Sequence, residues 1–186
     1  MASRWTTATG FSNPMASPMN IDGLDHMAGV PEDKVIEAHG SFHKAHCMSC
    51  KKEYSFDWLK ANIEKTTVPK CSICKKVVKP DVVLFGEGLP RKFFTSADAD
   101  FPKCDLLLIL GTSLVVQPFC SLTGRVNKNV PRFLINKEKV GTRHTFFTMF
   151  SGDGLEFDRP DNYRDVFWRG SCDDGCRLLA KLLGWE

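Results

Sequence analysis

The chain has 186 residues, of which 42% are hydrophobic, 11% aromatic and 25% charged. Its 25 Lys and Arg against 22 Asp and Glu leave a formal charge of +3, too small to identify a polyanionic partner. This is the profile of a soluble globular chain able to bury a core; it excludes wholesale disorder, collagen and coiled coil, and no apolar run approaches the ~20 residues that span a bilayer.

The first twenty residues are rich in Ser, Thr, Pro and Met, carry one charge at Arg4 and lack either periodicity, so residues 1–19 are expected to be an unstructured start. They also lack the apolar stretch of ~7–15 residues of a secretory signal, which favours a reducing compartment and thiolate chemistry for the eight cysteines. Apolar runs at 34–38, 81–85, 106–110 and 132–136 read as strands, and 57–64, 91–99, 119–126 and 174–183 as helices. The third run, Leu-Leu-Leu-Ile-Leu, has no polar alternation, so both of its faces are expected to be buried, as in a parallel sheet. Residues 152–160 read as a surface loop. Alternating strands and helices predict an α/β fold, a partial Rossmann-like parallel sheet with helices on both faces.

Two pairs, Cys47-Met-Ser-Cys50 and Cys71-Ser-Ile-Cys74, stand twenty residues apart. Each pair places two sulfurs on a tight knuckle, and two knuckles make a closed four-thiolate site suited to structural Zn2+, with no open position for water. His43 and His46 lie near enough to substitute, but with four Cys present they are expected to be surface or supporting groups. From Lys44 to Lys79 nine Lys face only Glu53, Asp57 and Glu64, a local charge of +6. Such a ribbon, with Tyr54, Phe56 and Trp58 interleaved, could also bind nucleic acid by phosphate contacts and stacking. The aromatics alternate with charges at a helix start, however, and are expected to form the module's small core, which disfavours nucleic acid as a partner.

In open α/β sheets, ligands sit at the carboxyl ends of strands. Three predicted strand ends carry suitable groups. Gly111, Thr112 and Ser113 could approach a phosphate, the carboxylate of Glu138 beyond Asn136 could hold a ribose diol, and the imidazole of His39 could act as a general base. No G-x-G-x-x-G occurs in the chain.

The motifs Asn20-Ile21-Asp22, Glu37-Ala-His39-Gly40, the paired cysteines, Val78 through Glu87, Gly111-Thr112-Ser113-Leu and Leu134-Ile-Asn136-Lys-Glu138 fall in the order seen in the sirtuins. From Asn20 to Glu186 the chain resembles that family of NAD-dependent protein-lysine deacylases, which transfer an acyl group to ADP-ribose and release nicotinamide. Its tail, from Tyr163 to Trp185, is similar to the cytosolic tubulin- and histone-deacetylating branch. The resemblance implies His39 and Asn20 as catalytic residues, with His39 the general base. It implies Ile21, Asp22, Gly111, Thr112, Ser113, Asn136, Glu138 and Cys172 as NAD+-binding residues. Ile21, Val83 and Leu84 would wall an acyl-lysine tunnel, and Gly86 and Glu87 on one side with Val116 and Gln117 on the other would pair with the substrate backbone. It further implies acylated lysines of histone- or tubulin-like proteins as substrates, a cytoplasmic or nuclear setting and no membrane.

The sequence also departs from the family. The glycine-rich phosphate loop and an Asp-Phe-Arg segment are not in this chain, Met19 stands where the family has Gln, and Leu84 replaces an aromatic. These departures predict a divided chain: 1–19 outside the family, 20–43 and 81–186 Rossmann-like, 44–80 zinc-binding. They also predict little or no activity, with a non-catalytic, zinc-organised peptide-binding fragment as the alternative.

Overall fold

The computed structural model describes residues 15–65, 67–142 and 154–185. The expected unstructured start and the expected loop at 152–160 therefore fall partly outside the described residues. Two compact units divide the chain, Met1–Ser96 and Ala97–Glu186.

The first unit is built on an antiparallel sheet of order β2-β1-β3, with β1 at Gly40–Cys47, β2 at Glu53–Ser55 and β3 at Val78–Val82. Ala45 faces Tyr54 on one side and Pro80 on the other. Pro80 is tolerated because β3 is an edge strand and its missing N–H breaks no second ladder. Gly40, at φ 70°, opens β1 where a Cβ would lie 1.7 Å from the Asp81 carbonyl oxygen, so only glycine fits. Helix α2 (Phe56–Ile63) follows β2 directly, with the Ser55 hydroxyl accepting from the Trp58 N–H at 3.3 Å. It buries Leu59 against Ala45, Cys47, Tyr54, Cys71 and Val78, with Trp58 partly covered. Phe56, expected in this core, is instead 43% exposed, at the first position of α2. A short helix α1 (Leu24–Met27) and a single 3-10 turn (Glu32–Lys34) precede the sheet.

Two expected strands are revised. Residues 34–38 are buried as expected at Val35, Ile36 and Ala38, but they form one parallel bridge, Ala16 to Val35, rather than a strand. Both bonds of that bridge go to Ala16, and a lone bridging residue does not make a ladder. The run at 81–85 ends in a turn. The strand is Val78–Val82, and beyond it the Glu87 carboxylate takes the Leu84 N–H at 2.9 Å, closing the chain on itself.

Helix α3 (Arg91–Asp100) matches its expected span closely. The second unit carries a parallel sheet of order β4-β5-β6, with β4 at Leu107–Leu110, β5 at Arg132–Asn136 and β6 at Asp165–Arg169. One face buries Ile109 and Leu134 with Leu114, Cys120 and Leu155, placing α4 (Phe119–Leu122) on that side. The other is covered at its carboxyl end by α5 (Cys172–Leu182), whose buried Gly175 lies where a Cβ would come 2.4 Å from Ile135 and 2.9 Å from Trp168. Helices thus cover both faces. The expectation that both faces of Leu-Leu-Leu-Ile-Leu are buried fails: Leu108 and Leu110 are 39% and 44% exposed, because β4 is an edge strand and α5 sits over β5 and β6. Helix α4 is shorter than the expected 119–126; after Leu122 the chain continues in single turns through Gly124, a weak helix former. Among the described residues, no helix is long and apolar enough to cross a membrane.

Inside the second unit, Arg132 and Asp165 open adjacent strands in register and form a pair that is 1% exposed on each side. Nε and Nη2 of Arg132 donate to the two carboxylate oxygens at 2.6 Å, and Nη1 and Nη2 also donate to the carbonyls of Thr123 and Gly154. A bidentate pair with further hydrogen bonds to backbone carbonyls is the form in which buried charge is tolerable.

Candidate functional site

The metal centre comes directly from β1 and the turns after it. Cys47 ends β1, Cys50 follows in the next turn, and Cys71 and Cys74 form the second turn before β3. Their four sulfurs lie within 4.8 Å of one another. The nearest contacts, Cys47 to Cys74 at 3.3 Å and Cys50 to Cys71 at 3.5 Å, are far longer than the ~2.05 Å of a disulfide. Tyr54 was read only as core; its hydroxyl also donates to Cys71 Sγ at 3.2 Å and accepts from the Ser72 N–H at 2.7 Å. That bond from Tyr54 holds the Cys71 thiol down at about 5, against burial. Burial opposes ionisation of Cys47 as well, but the N–H groups of Cys50 and Ser49 outweigh it and lower the thiol. At Cys50 the Lys52 N–H favours the thiolate, yet sharing a proton with Cys71 and loss of hydration push it up to about 11. Two sulfurs thus lean toward thiolate, and one acts as a proton donor among them. Four soft donors in a closed cluster suit structural Zn2+, which would displace those protons. Neither His43 nor His46 belongs to the cluster: His46 Nδ1 sits 2.7 Å from Asp81 Oδ1, and His43 packs on His26.

A second group of predicted residues gathers around a pocket of about 460 Å³ lined by Met19, Asn20, Ile21, Asp22, His39, Val82 and Val83. His39 Nδ1 lies 3.1 Å from the Met19 carbonyl oxygen. A carbonyl can only accept, so Nδ1 carries the hydrogen and Nε2 of the neutral ring is the basic nitrogen. The Val83 N–H donates to the His39 carbonyl at 2.9 Å, which ties the imidazole-bearing residue to the exit of β3. Asp22 Oδ1 accepts from the Leu24 N–H at 3.1 Å and holds the start of α1. Leu84 is 53% exposed and not among the pocket residues. Gly86 is exposed at φ 90°. The carboxylate of Glu87 fastens its own turn, accepting from Leu84 N–H and Lys79 Nζ, and these two, in that order, hold its carboxyl below the ordinary range.

The second unit brings together another subset at the carboxyl ends of β4 and β5. Gly111 leaves β4 at φ 55° with its N–H on the Ile135 carbonyl, and a Cβ there would lie 2.9 Å from Cys172 Sγ. Thr112 Oγ1 accepts from the Leu114 N–H, while Asn136 Nδ2 donates to the carbonyls of Thr112 and Glu138, both at 3.0 Å. Ser113 and Glu138 are exposed beside them. Cys172 begins α5, whose N-cap is Ser171. Val116 and Gln117 are exposed in the same unit, just before α4.

Residues 12–118 match the profile of the Sir2 family. The chain is 55% identical over 170 residues to NAD-dependent protein deacetylase sirtuin-2 of Danio rerio, covering 90% of this chain and 45% of that protein. It is 50% identical over 170 residues to NAD-dependent deacetylase sir2A of Dictyostelium discoideum, covering 90% of this chain and 32% of that one. Against NAD-dependent protein deacetylase sirtuin-3 of Mus musculus the identity is 43% over 166 residues, with 89% and 45% covered. The chain therefore spans less than half the length of these curated relatives.

Proposed function

The chain belongs to the Sir2 family, and on that premise we propose that its residues serve NAD-dependent removal of acyl groups from protein lysines. What carries this reading is the pocket that gathers Asn20, Ile21, Asp22, His39 and Val83. NAD+, when bound, supplies the ribose carbon that receives the acyl oxygen as nicotinamide leaves. His39, with its Nδ1 hydrogen committed to the Met19 carbonyl, takes a proton from a ribose hydroxyl at Nε2. Asn20 and Asp22 hold the nicotinamide side, Ile21 and Val83 keep water from an acyl-lysine side chain, and the exposed Leu84 borders them outside the pocket. Gly111, Thr112, Ser113, Asn136, Glu138 and Cys172 hold the phosphate and adenosine side. Gly86, Glu87, Val116 and Gln117 pair with the backbone of an acetylated, histone- or tubulin-like substrate in the cytoplasm or nucleus.

We further infer that these 186 residues turn over slowly or not at all. No G-x-G-x-x-G stands in the chain to give N–H donors to the cofactor phosphates, and losing even one preorganised donor costs ~3–4 kcal/mol. The test is NAD-dependent deacetylation of an acetyl-lysine peptide by the purified zinc-loaded chain, beside calorimetry with NAD+. A rate near background with measurable peptide affinity supports a non-catalytic, peptide-binding role. Robust turnover abolished by His39→Ala refutes the low-activity inference while upholding the assignment of His39.

A further inference from the structure

The two metal-binding turns repeat one pattern, Cys47-Met-Ser-Cys50-Lys51-Lys52 and Cys71-Ser-Ile-Cys74-Lys75-Lys76. The backbone repeats with it. Lys51 N–H donates to the Cys47 carbonyl at 3.1 Å and Lys75 N–H to the Cys71 carbonyl at 3.0 Å. Cys47 N–H in turn reaches the Lys52 carbonyl at 2.9 Å, and Cys71 N–H the Lys76 carbonyl at 2.7 Å. Each turn closes on a lysine in the left-handed region, φ 61° at Lys51 and 62° at Lys75. A residue with a Cβ is strained there and glycine is favoured. Lysine at the same strained position of both turns points to a use for its charge.

These lysines also differ from others in the module in what they face. Lys44, Lys60 and Lys79 reach Glu53, Glu64 and Glu87. Lys51, Lys52, Lys75 and Lys76 are all exposed, and among the described residues none of the four has a carboxylate partner. Two of them converge instead on one residue: Lys52 Nζ donates to Ser72 Oγ at 2.9 Å and Lys75 Nζ to the Ser72 carbonyl at 3.1 Å. Each turn also displays an apolar side chain, Met48 at 50% and Ile73 at 66% exposure. Met48 N–H is bonded to the carbonyl of Val77, itself 46% exposed, which brings a third exposed aliphatic residue next to the first turn.

Four exposed ammonium groups with no carboxylate partner among the described residues, two of them gathered on Ser72, together with exposed aliphatic side chains call for an anionic occupant with apolar groups of its own. Nucleic acid would need exposed rings beside the lysines for stacking, but Tyr54 and Trp58 lie against each other, centroids 4.1 Å apart, in the module's core, and Phe56, although 43% exposed, stands at the start of α2 and not on either turn. A bilayer is usually entered by Trp, Phe or Leu, and neither turn presents one. Met48 is unbranched and adaptable, suited to varied aliphatic partners. We propose that the two zinc turns form a docking face for an acidic protein segment in which Asp and Glu alternate with aliphatic residues. This site is separate from the pocket around His39 and does not depend on turnover there.

The test is fluorescence anisotropy of the full zinc-loaded chain with a labelled peptide of Asp and Glu interspersed with Leu. The expected result is saturable binding that weakens about tenfold or more between low and moderate salt. The informative variant is Lys51→Gly with Lys75→Gly, which removes two charges while giving both turns the residue their backbone prefers. It is expected to keep its zinc, melt no lower than the parent and bind about tenfold or more weaker. Met48→Ser with Ile73→Ser is expected to weaken binding without changing its salt slope. The proposal is overturned if the double glycine variant binds as the parent does, or if the peptide fails to bind while anionic vesicles or single-stranded DNA do.

Discussion

Tyr54→Phe isolates what the protein contributes to metal binding beyond the four sulfurs. The hydroxyl has one hydrogen, which goes to Cys71 Sγ at 3.2 Å, while Ser72 donates to it from the backbone at 2.7 Å and lies with its own hydroxyl 3.1 Å away. Phenylalanine keeps the ring against Trp58 and the core position, so packing is conserved. What is lost is a bond to a charged sulfur, worth ~1.5–3 kcal/mol. Ser72 is exposed, and water replaces the hydroxyl at its N–H, which adds little. A loss of ~2 kcal/mol corresponds to ~30-fold in affinity, inside the ~10–100-fold range for groups that orient metal ligands. Zinc competition against a chromophoric chelator, with circular dichroism to confirm that the variant remains folded, reads this directly. An affinity within about threefold of the parent would refute the role of the hydroxyl and leave Tyr54 as core alone.

Three further outcomes follow from the same geometry. Arg132→Met leaves Asp165 buried without its bidentate partner and is expected to cost ~3–5 kcal/mol, read as loss of hydrogen-exchange protection in β5 and β6; a loss below ~1 kcal/mol would show that the pair is dispensable. Gly175→Ala, which in an exposed helix interior would gain ~1 kcal/mol, is expected to destabilise instead, because its Cβ would meet Ile135 at 2.4 Å, and a raised melting temperature would contradict that packing. The Leu84 N–H and then Lys79 lower the folded Glu87 carboxyl below the ordinary 4.5, so the turn it closes is fully held above that value and is lost only as pH falls through the lower, folded one. The Leu84 amide NMR signal should therefore titrate with a midpoint under 4.5, and a midpoint at or above it would contradict the bond.

The strands legible in the sequence are those with a compact apolar run. Arg132–Asn136 is read to the residue because β5 is central and its Leu134 and Ile135 are fully covered. The strand Gly40–Cys47 is not legible, since its Ser, His and Lys residues carry no clean alternation, and it is held extended by pairing with β2 on one side and β3 on the other. Residues 34–38 show the converse: apolar content reports burial, whereas a strand requires a neighbour, and here the neighbour is a single residue, Ala16. The cysteines could be placed by spacing alone, because tetrahedral thiolate chemistry dictates that spacing. Asn20 and Asp22 are legible only through the family resemblance, whereas His39 is also marked by its place at the end of an apolar run. The group that sets the tautomer of His39 was not legible at all, since it is the main-chain carbonyl of Met19 and has no side-chain signature. Likewise the lysines after each cysteine pair read as charge, while the left-handed backbone that makes them unusual appears only in three dimensions.

The run that reads as most buried, Leu-Leu-Leu-Ile-Leu, is the one that gains most from additional cover. Leu108 and Leu110 keep 39% and 44% of their surface in water, whereas Leu134 and Ile135 one strand away keep none. Full burial of a leucine is worth ~1.5–3 kcal/mol, so the two together retain on the order of 1–2 kcal/mol of unrealised stabilisation. Among the described residues the backbone of β4 also has a ladder on one side only, and such an edge is a template for a further strand. The second unit therefore has its firm centre at β5, where the Arg132–Asp165 pair and the contacts of Gly175 meet, and its adaptable side at β4. The proposed phosphate-side residues Gly111, Thr112 and Ser113 leave from that adaptable strand, while Asn136 leaves from the firm one. The Gly111 N–H on the Ile135 carbonyl and the bonds from Asn136 Nδ2 to the carbonyls of Thr112 and Glu138 tie the first set to β5, so the order of the Gly111–Ser113 turn rests on the firm strand as well as on the one that carries it.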